Sequence, residues 1–158
     1  AILVLGAITE GAAAAKQARD LGIKARLLGV VAFAYNDFIK LGGSAVEGTI
    51  ACTTFFPSNP DPKVQAFVKK YKEKYNEEPD HAAAHTYDAL QLLIQAIKNG
   101  QLDSKDLAAD RQKIRDELLK VNNYQGVSAP ITYGPNDHDG YQELMLIEVK
   151  NGEWQVIK

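Results

Sequence analysis

The sequence predicts an α/β fold, a three-layer and mostly parallel sheet flanked by helices and ending in an antiparallel hairpin. Three observations carry this reading. Apolar runs recur early in the chain, helical stretches marked by caps and glycines separate them, and an Asn-Gly pair joins the last two runs.

Residues 2–5 (ILVL) form a continuous apolar run, which suits a strand covered on both faces and therefore parallel packing. Thr9 is placed to cap the alanine-rich helix that follows, Glu10 suits its positive end, and Gly22 stands where a left-handed terminating residue is wanted. Opening on a strand with no approach segment, the sequence reads as a piece of something longer. Leu27 and Leu28 lead through Gly29 into the apolar stretch 30–35, and Asn36 is placed to cap a short helix through Phe38 and Ile39. Residues 48–54 (GTIACTT) make a third strand. Three strands with two intervening helices describe right-handed crossovers in a parallel sheet.

Residues 55–62 (FFPSNPDP) hold three prolines in eight positions, so they continue neither helix nor strand and read as a crossing segment. Asp61 and Pro62 then form a cap and first-turn pair. Val64, Phe67, Val68, Tyr71 and Tyr75 recur at helical spacing as a core stripe, with Lys69, Lys70, Lys72 and Lys74 on a solvated face. A second helix is expected over 82–98, with Tyr87, Leu90, Leu93, Ile94 and Ile97 as its inner side and Asn99-Gly100 closing it. A third is expected over 104–121, with Leu107, Ile114 and Leu118 as a thinner seam. β-structure returns over 130–133, 144–149 and 154–157. Asn151-Gly152 between the last two predicts a tight hairpin, because both residues tolerate positive φ.

The 158 residues, 46% of them hydrophobic, suffice for one well-covered core, so length alone predicts one domain. A formal charge of -2, from 18 basic and 20 acidic residues, gives no field to gather nucleic acid, which is excluded as a partner. Cys52 has no second cysteine to pair with and reads as a small core residue. No apolar run reaches the roughly 18 residues of a membrane span, and the first residues read without the basic and apolar regions of a secretory signal. The protein is read as cytoplasmic, or as one whose signal has been removed.

His81 and His85 stand four apart on one helix face, the spacing of half a zinc site, but Ala82 replaces the glutamate of a metalloprotease and no third ligand is evident. They read as surface histidines. His138 lies among turn formers with Asn136, Asp137 and Asp139, a loop without the spacing or closing glutamate of a calcium site. Gly6 and Gly11 fall short of a dinucleotide fingerprint, and Ala12 stands where a phosphate-binding loop needs lysine. Ser44, Ser58, Ser104 and Ser128 lack a nucleophile context. No catalytic residue, metal or cofactor is assigned, and the protein is not read as an enzyme.

Taken together, residues 6–29 (GAITEGAAAAKQARDLGIKARLLG), 41–80, 85–100 (HTYDALQLLIQAIKNG) and 124–140 (YQGVSAPITYGPNDHDG) resemble the carboxyl-terminal half of a leucine/isoleucine/valine-type periplasmic solute-binding protein. The Glu47-Gly48 step, the proline-rich crossing with the turn at Asn76 and Pro79, and the segment between Gly126 and Pro135 carry most of the likeness. Such proteins have two α/β lobes that close on an amino acid or similar small molecule before docking on the membrane subunits of an ABC importer. The resemblance implies that 1–56 and 131–158 form the sheet core of one flavodoxin-like lobe, and that 57–130 belongs to the other. Thr54, Phe55, Phe56, Pro57, Ile131, Thr132 and Tyr133 would be hinge residues. Ala7, Ile8, Thr9, Val31, Phe33 and Tyr35, at the carboxyl ends of the parallel strands, would contact ligand. The family's covering aromatic aligns with Ala7 and Ile8, and its ammonium-neutralising acid with Val31. A buried ammonium without a counter-charge costs several kcal/mol, so an apolar organic acid fits these positions better than a free amino acid. The resemblance further implies a periplasmic or extracellular parent. The alternative is a ligand-free assembly unit, a half-protein stable as a homodimer or as a lone scaffold; a cytoplasmic sensor would need an effector segment that the sequence does not contain.

Overall fold

In the computed structural model, which describes every residue except Gln142 and Lys158, strand β1 (Ile2–Val4) pairs in parallel with β2 (Leu27–Gly29), and β2 with β3 (Ile50–Thr53). β4 (Met145–Lys150) runs antiparallel to β3, and β5 (Glu153–Val156) antiparallel to β4, so spatial order follows chain order. This is the mixed sheet expected, parallel first and closed by a hairpin. Asn151 (φ 56°) and Gly152 (φ 76°) make its turn. Glu47 braces that turn by accepting from the Asn151 N–H at 2.7 Å and the Gly152 N–H at 3.2 Å.

Length alone predicts one domain, whereas the chain divides into two units, Ala1–Thr53 with Leu144–Lys158, and Thr54–Glu143. In the first, register assigns the faces of the sheet. Leu3 lies opposite Leu28, Leu28 opposite Ile50, and Cys52 opposite Leu146, so these share one face; Leu27, Ala51, Ile147, Val149 and Trp154 lie on the other. When successive parallel strands step the same way with one crossover hand, the connecting helices fall on the same side. Helices α1 (Ile8–Asp20) and α2 (Asn36–Gly42) accordingly contact each other, and Ala12, Ala15, Phe38 and Val46 are buried with the second face. Phe38 stacks between Phe33 and Trp154, at centroid distances of 4.5 and 5.9 Å. The first face stays open, with Leu3 61% and Leu146 52% exposed. The expectation that residues 2–5 are covered on both sides is thereby corrected: β1 is an edge strand, and both helices of its unit sit on the opposite face.

Local capping differs from expectation at two helix starts. Ala7, not Thr9, is the N-cap of α1, without a side-chain bond, and Thr9 is the helix's second residue. Tyr35 likewise precedes α2, which makes Asn36 its first residue rather than its cap. Gly22 (φ 75°) does close α1: its N–H donates to the Arg19 carbonyl and the Ile23 N–H to that of Ala18, each at 2.9 Å, the paired bonds of a Schellman motif. After Gly29 the apolar stretch coils into a 3-10 turn over Val31–Phe33 instead of extending β2.

The second unit carries α3 (Pro62–Tyr75), α4 (His81–Asn99) and α5 (Leu107–Leu118). Each begins on an aspartate whose carboxylate accepts from the first turn: Asp61 from Lys63 N–H at 2.7 Å, Asp80 from Ala83 N–H at 2.8 Å, and Asp106 from Ala108 and Ala109 N–H at 3.0 and 3.1 Å. Phe55, Val64, Val68, Ala84 and Val127 form its core, with Phe67 packed against them. The inner row of α4 is His81, Ala84, Asp88, Leu92 and Ala96, and the row expected there, Tyr87, Leu90, Leu93, Ile94 and Ile97, is the exposed one. Gly100 is right-handed, and Gln101 (φ 48°) takes the left-handed position instead. The strand expected over 130–133 reduces to single bridges from Ile131 to Tyr124 and to Tyr141, since Pro130 has no N–H to extend a ladder.

Candidate functional site

Because β1 and β2 are parallel, the loops that follow them emerge at the same end of the sheet. The loop after β1 brings Ala7 to the surface, with Ile8 half-buried and Thr9 exposed on the first turn of α1. No side chain caps that helix end. The loop after β2 exposes Val31 and leaves Tyr35 half-buried. Phe33 is not a lining residue: it is 1% exposed. Its ring fills the space above two glycines, since a Cβ built on Gly11 would fall 2.3 Å from its Cζ and one on Gly29 2.1 Å from its Cδ2. Phe33 therefore joins the start of α1 to the end of β2 and fixes where Ala7 and Val31 stand. The Tyr35 carbonyl accepts from Trp154 Nε1 at 3.2 Å, which anchors the far end of the second loop to β5. All six side chains at these tips are uncharged; Glu10, exposed in the first turn of α1, is the nearest acid in sequence.

The hinge candidates all belong to the second unit. Thr54 is its first residue, Phe55 is in its core, and Phe56 and Pro57 are half-buried. Ile131, Thr132 and Tyr133 lie well inside it, so the chain returns to the first unit at Glu143–Leu144 and not at these three. What holds them is local. Besides the Ile131 bridges, Thr132 Oγ1 accepts from Asn123 N–H at 2.8 Å, and Tyr133 N–H donates to the Val121 carbonyl at 2.9 Å.

Sequence reasoning missed a polar cluster on α4. Asp88 is fully buried and accepts from Val127 N–H at 2.9 Å, from Ser128 N–H at 2.9 Å and from the Ser128 hydroxyl. Gly126 is required there, because a Cβ would lie 2.3 Å from Asp88 Oδ1. One turn earlier, His85 hydrogen-bonds through Nε2 to Thr54 Oγ1, and its ring lies tilted against that of Tyr141 at a centroid distance of 4.6 Å. Burial, reinforced by nearby His81, holds the His85 pKa below its ordinary 6.5, against the opposite pull of Asp88 and Asp80. Burial also raises the Tyr141 hydroxyl. His81 is buried, not on the surface as expected, with its ring 5.6 Å from that of His85; among the described residues no group of three histidines, cysteines or carboxylates is placed to hold a metal ion. The signal that could have found the cluster is a lone aspartate inside an apolar helical run.

Between α3, α4 and residues 124–127 lies an open groove of about 1030 Å³. Phe67 meets Tyr87 at 5.0 Å and Tyr71 at 5.9 Å along its wall, and Leu90 extends the apolar surface. No helix among the described residues is long and apolar enough to cross a membrane.

A family described as periplasmic binding protein matches residues 1–153. Among solved structures, the chain is similar to the leucine binding protein LivK of Thermotoga maritima, with 32% identity, a TM-score of 0.86, and coverage of 99% of this chain and 43% of that one. It is similar also to LivJ, the branched-chain amino acid transporter substrate binding protein of Streptococcus pneumoniae, in complex with isoleucine. There the identity is 26% and the TM-score 0.79, over 99% of this chain and 44% of that one. The chain spans less than half the length of either.

Proposed function

The chain belongs to the periplasmic binding protein family, and we propose that it is half of a two-lobed, extracytoplasmic solute-binding protein that delivers a small molecule to the membrane subunits of an ABC importer. Its location on this reading is the periplasm or the cell exterior. Thr54, Phe55, Phe56 and Pro57 belong to a crossing between lobes, and closure about such crossings traps the ligand.

The ligand class rests on one observation: the tips of β1 and β2 carry Ala7, Ile8, Thr9, Val31 and Tyr35 and no counter-ion for an α-amino group. They make an apolar wall beside a helix start whose N–H groups no side chain caps, which supports binding of a carboxylate with a branched or aromatic tail. The leucine- and isoleucine-binding relatives make the branched-chain 2-keto acids the first candidates. The test is thermal unfolding of the purified chain with leucine, valine, their keto acids and phenylacetate. A ligand present at about 100 times its Kd adds roughly 2.7 kcal/mol of stability, so a keto acid is expected to raise Tm and leucine to leave it unchanged. Tight uptake of free leucine overturns the ligand class, and no response to any of these from a monomer overturns ligand binding by this half alone.

A second reading, a ligand-free unit that assembles as a homodimer, is favoured by the large apolar side chains left open in both units. Leu3, Leu5 and Leu146 are exposed in the first, and Tyr87, Leu90 and Ile97 in the second. On the transport reading, the remaining length of a full solute-binding protein covers them. Light scattering separates the two: a stable dimer without ligand response supports assembly.

A further inference from the structure

His85 stands where the two ends of the second unit meet. Its Nε2 is hydrogen-bonded to Oγ1 of Thr54, the first residue of that unit, and its ring packs at 4.6 Å against Tyr141, close to the last. Each contact is backed by a second tie. The Thr54 carbonyl accepts from Ala129 N–H at 2.8 Å. Tyr141 Oη lies 3.3 Å from Ser128 Oγ, whose hydroxyl donates to buried Asp88. The segment that enters the unit and the segment that leaves it are thus both fastened to α4 through one imidazole.

We propose that His85 is a proton-operated latch on these two segments, closed when the ring is neutral and loosened when it takes up a proton. The neutral ring offers Thr54 one nitrogen, as donor or acceptor according to tautomer, and presents an uncharged face to Tyr141. Protonation makes both nitrogens donors and places a charge in a half-buried position. The groups facing it are His81, Asp88 and Asp80 from α4, Tyr141 from the departing segment and Thr54 from the entering one. The two carboxylates favour the charge, whereas burial and His81 oppose it and prevail. Asp88 is moreover already engaged by Val127 and Ser128.

The direction follows from linkage. A histidine whose native pKa lies below 6.5 binds fewer protons folded than unfolded, so its contribution to stability is complete above pH 6.5. That contribution is lost as pH falls from there through the native value. Mild acid is therefore expected to free the two segments while the rest of the fold persists. The inference stands on the second unit alone and does not depend on the ligand or on transport.

The experiment combines the NMR titration of the three histidine rings with amide hydrogen exchange of the full chain near pH 7.5 and pH 5, corrected for intrinsic rates. The Ala129 amide reports the Thr54 tie directly. In the wild type its protection is expected to fall measurably between the two pH values, with a midpoint that follows the His85 ring. His85→Gln, which keeps a hydrogen-bonding group but does not titrate, is expected to abolish the drop, while His81→Gln preserves it. Unchanged protection across this range in the wild type, or an equal drop in His85→Gln, overturns the proposal. Should His85→Gln not fold, the titration still decides, because a His85 ring that titrates at or above 6.5 also overturns it.

Discussion

Replacing Asp88 by alanine removes the acceptor for two backbone N–H groups and one hydroxyl, and the structure sets the cost. Val127 is buried, so its N–H finds no water when the carboxylate goes; an orphaned buried donor costs about 1–3 kcal/mol. Ser128 is half-buried and recovers part of its loss from solvent, which adds about 1 kcal/mol. The expected destabilisation is about 2–4 kcal/mol, a large share of the 5–15 kcal/mol typical of a domain. Asp88→Asn keeps the shape and one acceptor oxygen but turns an NH2 towards a donor, and is expected to lose about half as much. Urea unfolding followed by far-UV circular dichroism measures this, since the three α-helices of the second unit together supply most of the helical signal. With a slope of about 1–2 kcal/mol per molar, the alanine midpoint falls by roughly 1–4 M. A loss below about 1 kcal/mol, or an asparagine variant as stable as the parent, would refute the reasoning that this carboxylate holds the 126–128 loop.

Phe33→Ala empties the volume between Gly11 and Gly29 and is expected to cost about 3–5 kcal/mol; calorimetry checks it, and a loss under 1 kcal/mol shows that the ring is not the wedge between α1 and β2. Glu47→Ala deprives the hairpin turn of both its acceptors at an exposed site, so a loss of about 1 kcal/mol is expected, with faster exchange at the Asn151 and Gly152 amides. Unaltered exchange there would remove Glu47 from the turn's support.

How far the fold could be read in advance depended on whether the determining interaction was local. The Asn151-Gly152 turn, the Asp61 cap and the Gly22 terminus are decided within a few residues, and each stands where the sequence puts it. The inner side of α4 is decided by what α4 packs on, and there periodicity misled. The apolar row Tyr87, Leu90 and Ile94 has the correct spacing for a core, yet the row a third of a turn away, with Ala84 and Asp88, is the buried one. The candidate site divides the same way. Its strand tips follow from the parallel order of β1 and β2, but the burial of Phe33 depends on two glycines 18 positions apart in the chain, Gly11 and Gly29, and on the coil that follows β2. Asp88 and Gly126 are likewise a long-range pair, invisible until α4 and the 126–128 loop are brought together.

The placement of the aromatic residues has a practical consequence. The single tryptophan, Trp154, is buried in the first unit against Phe38, with its indole N–H on the Tyr35 carbonyl. Of the seven tyrosines, only Tyr35 shares that unit, and the other six lie in the second. Indole emission therefore follows the sheet-bearing unit, and phenol absorbance the helical one, without any introduced label. Overlaid melting curves would mean a single cooperative body, and separated ones two bodies that happen to share a polypeptide.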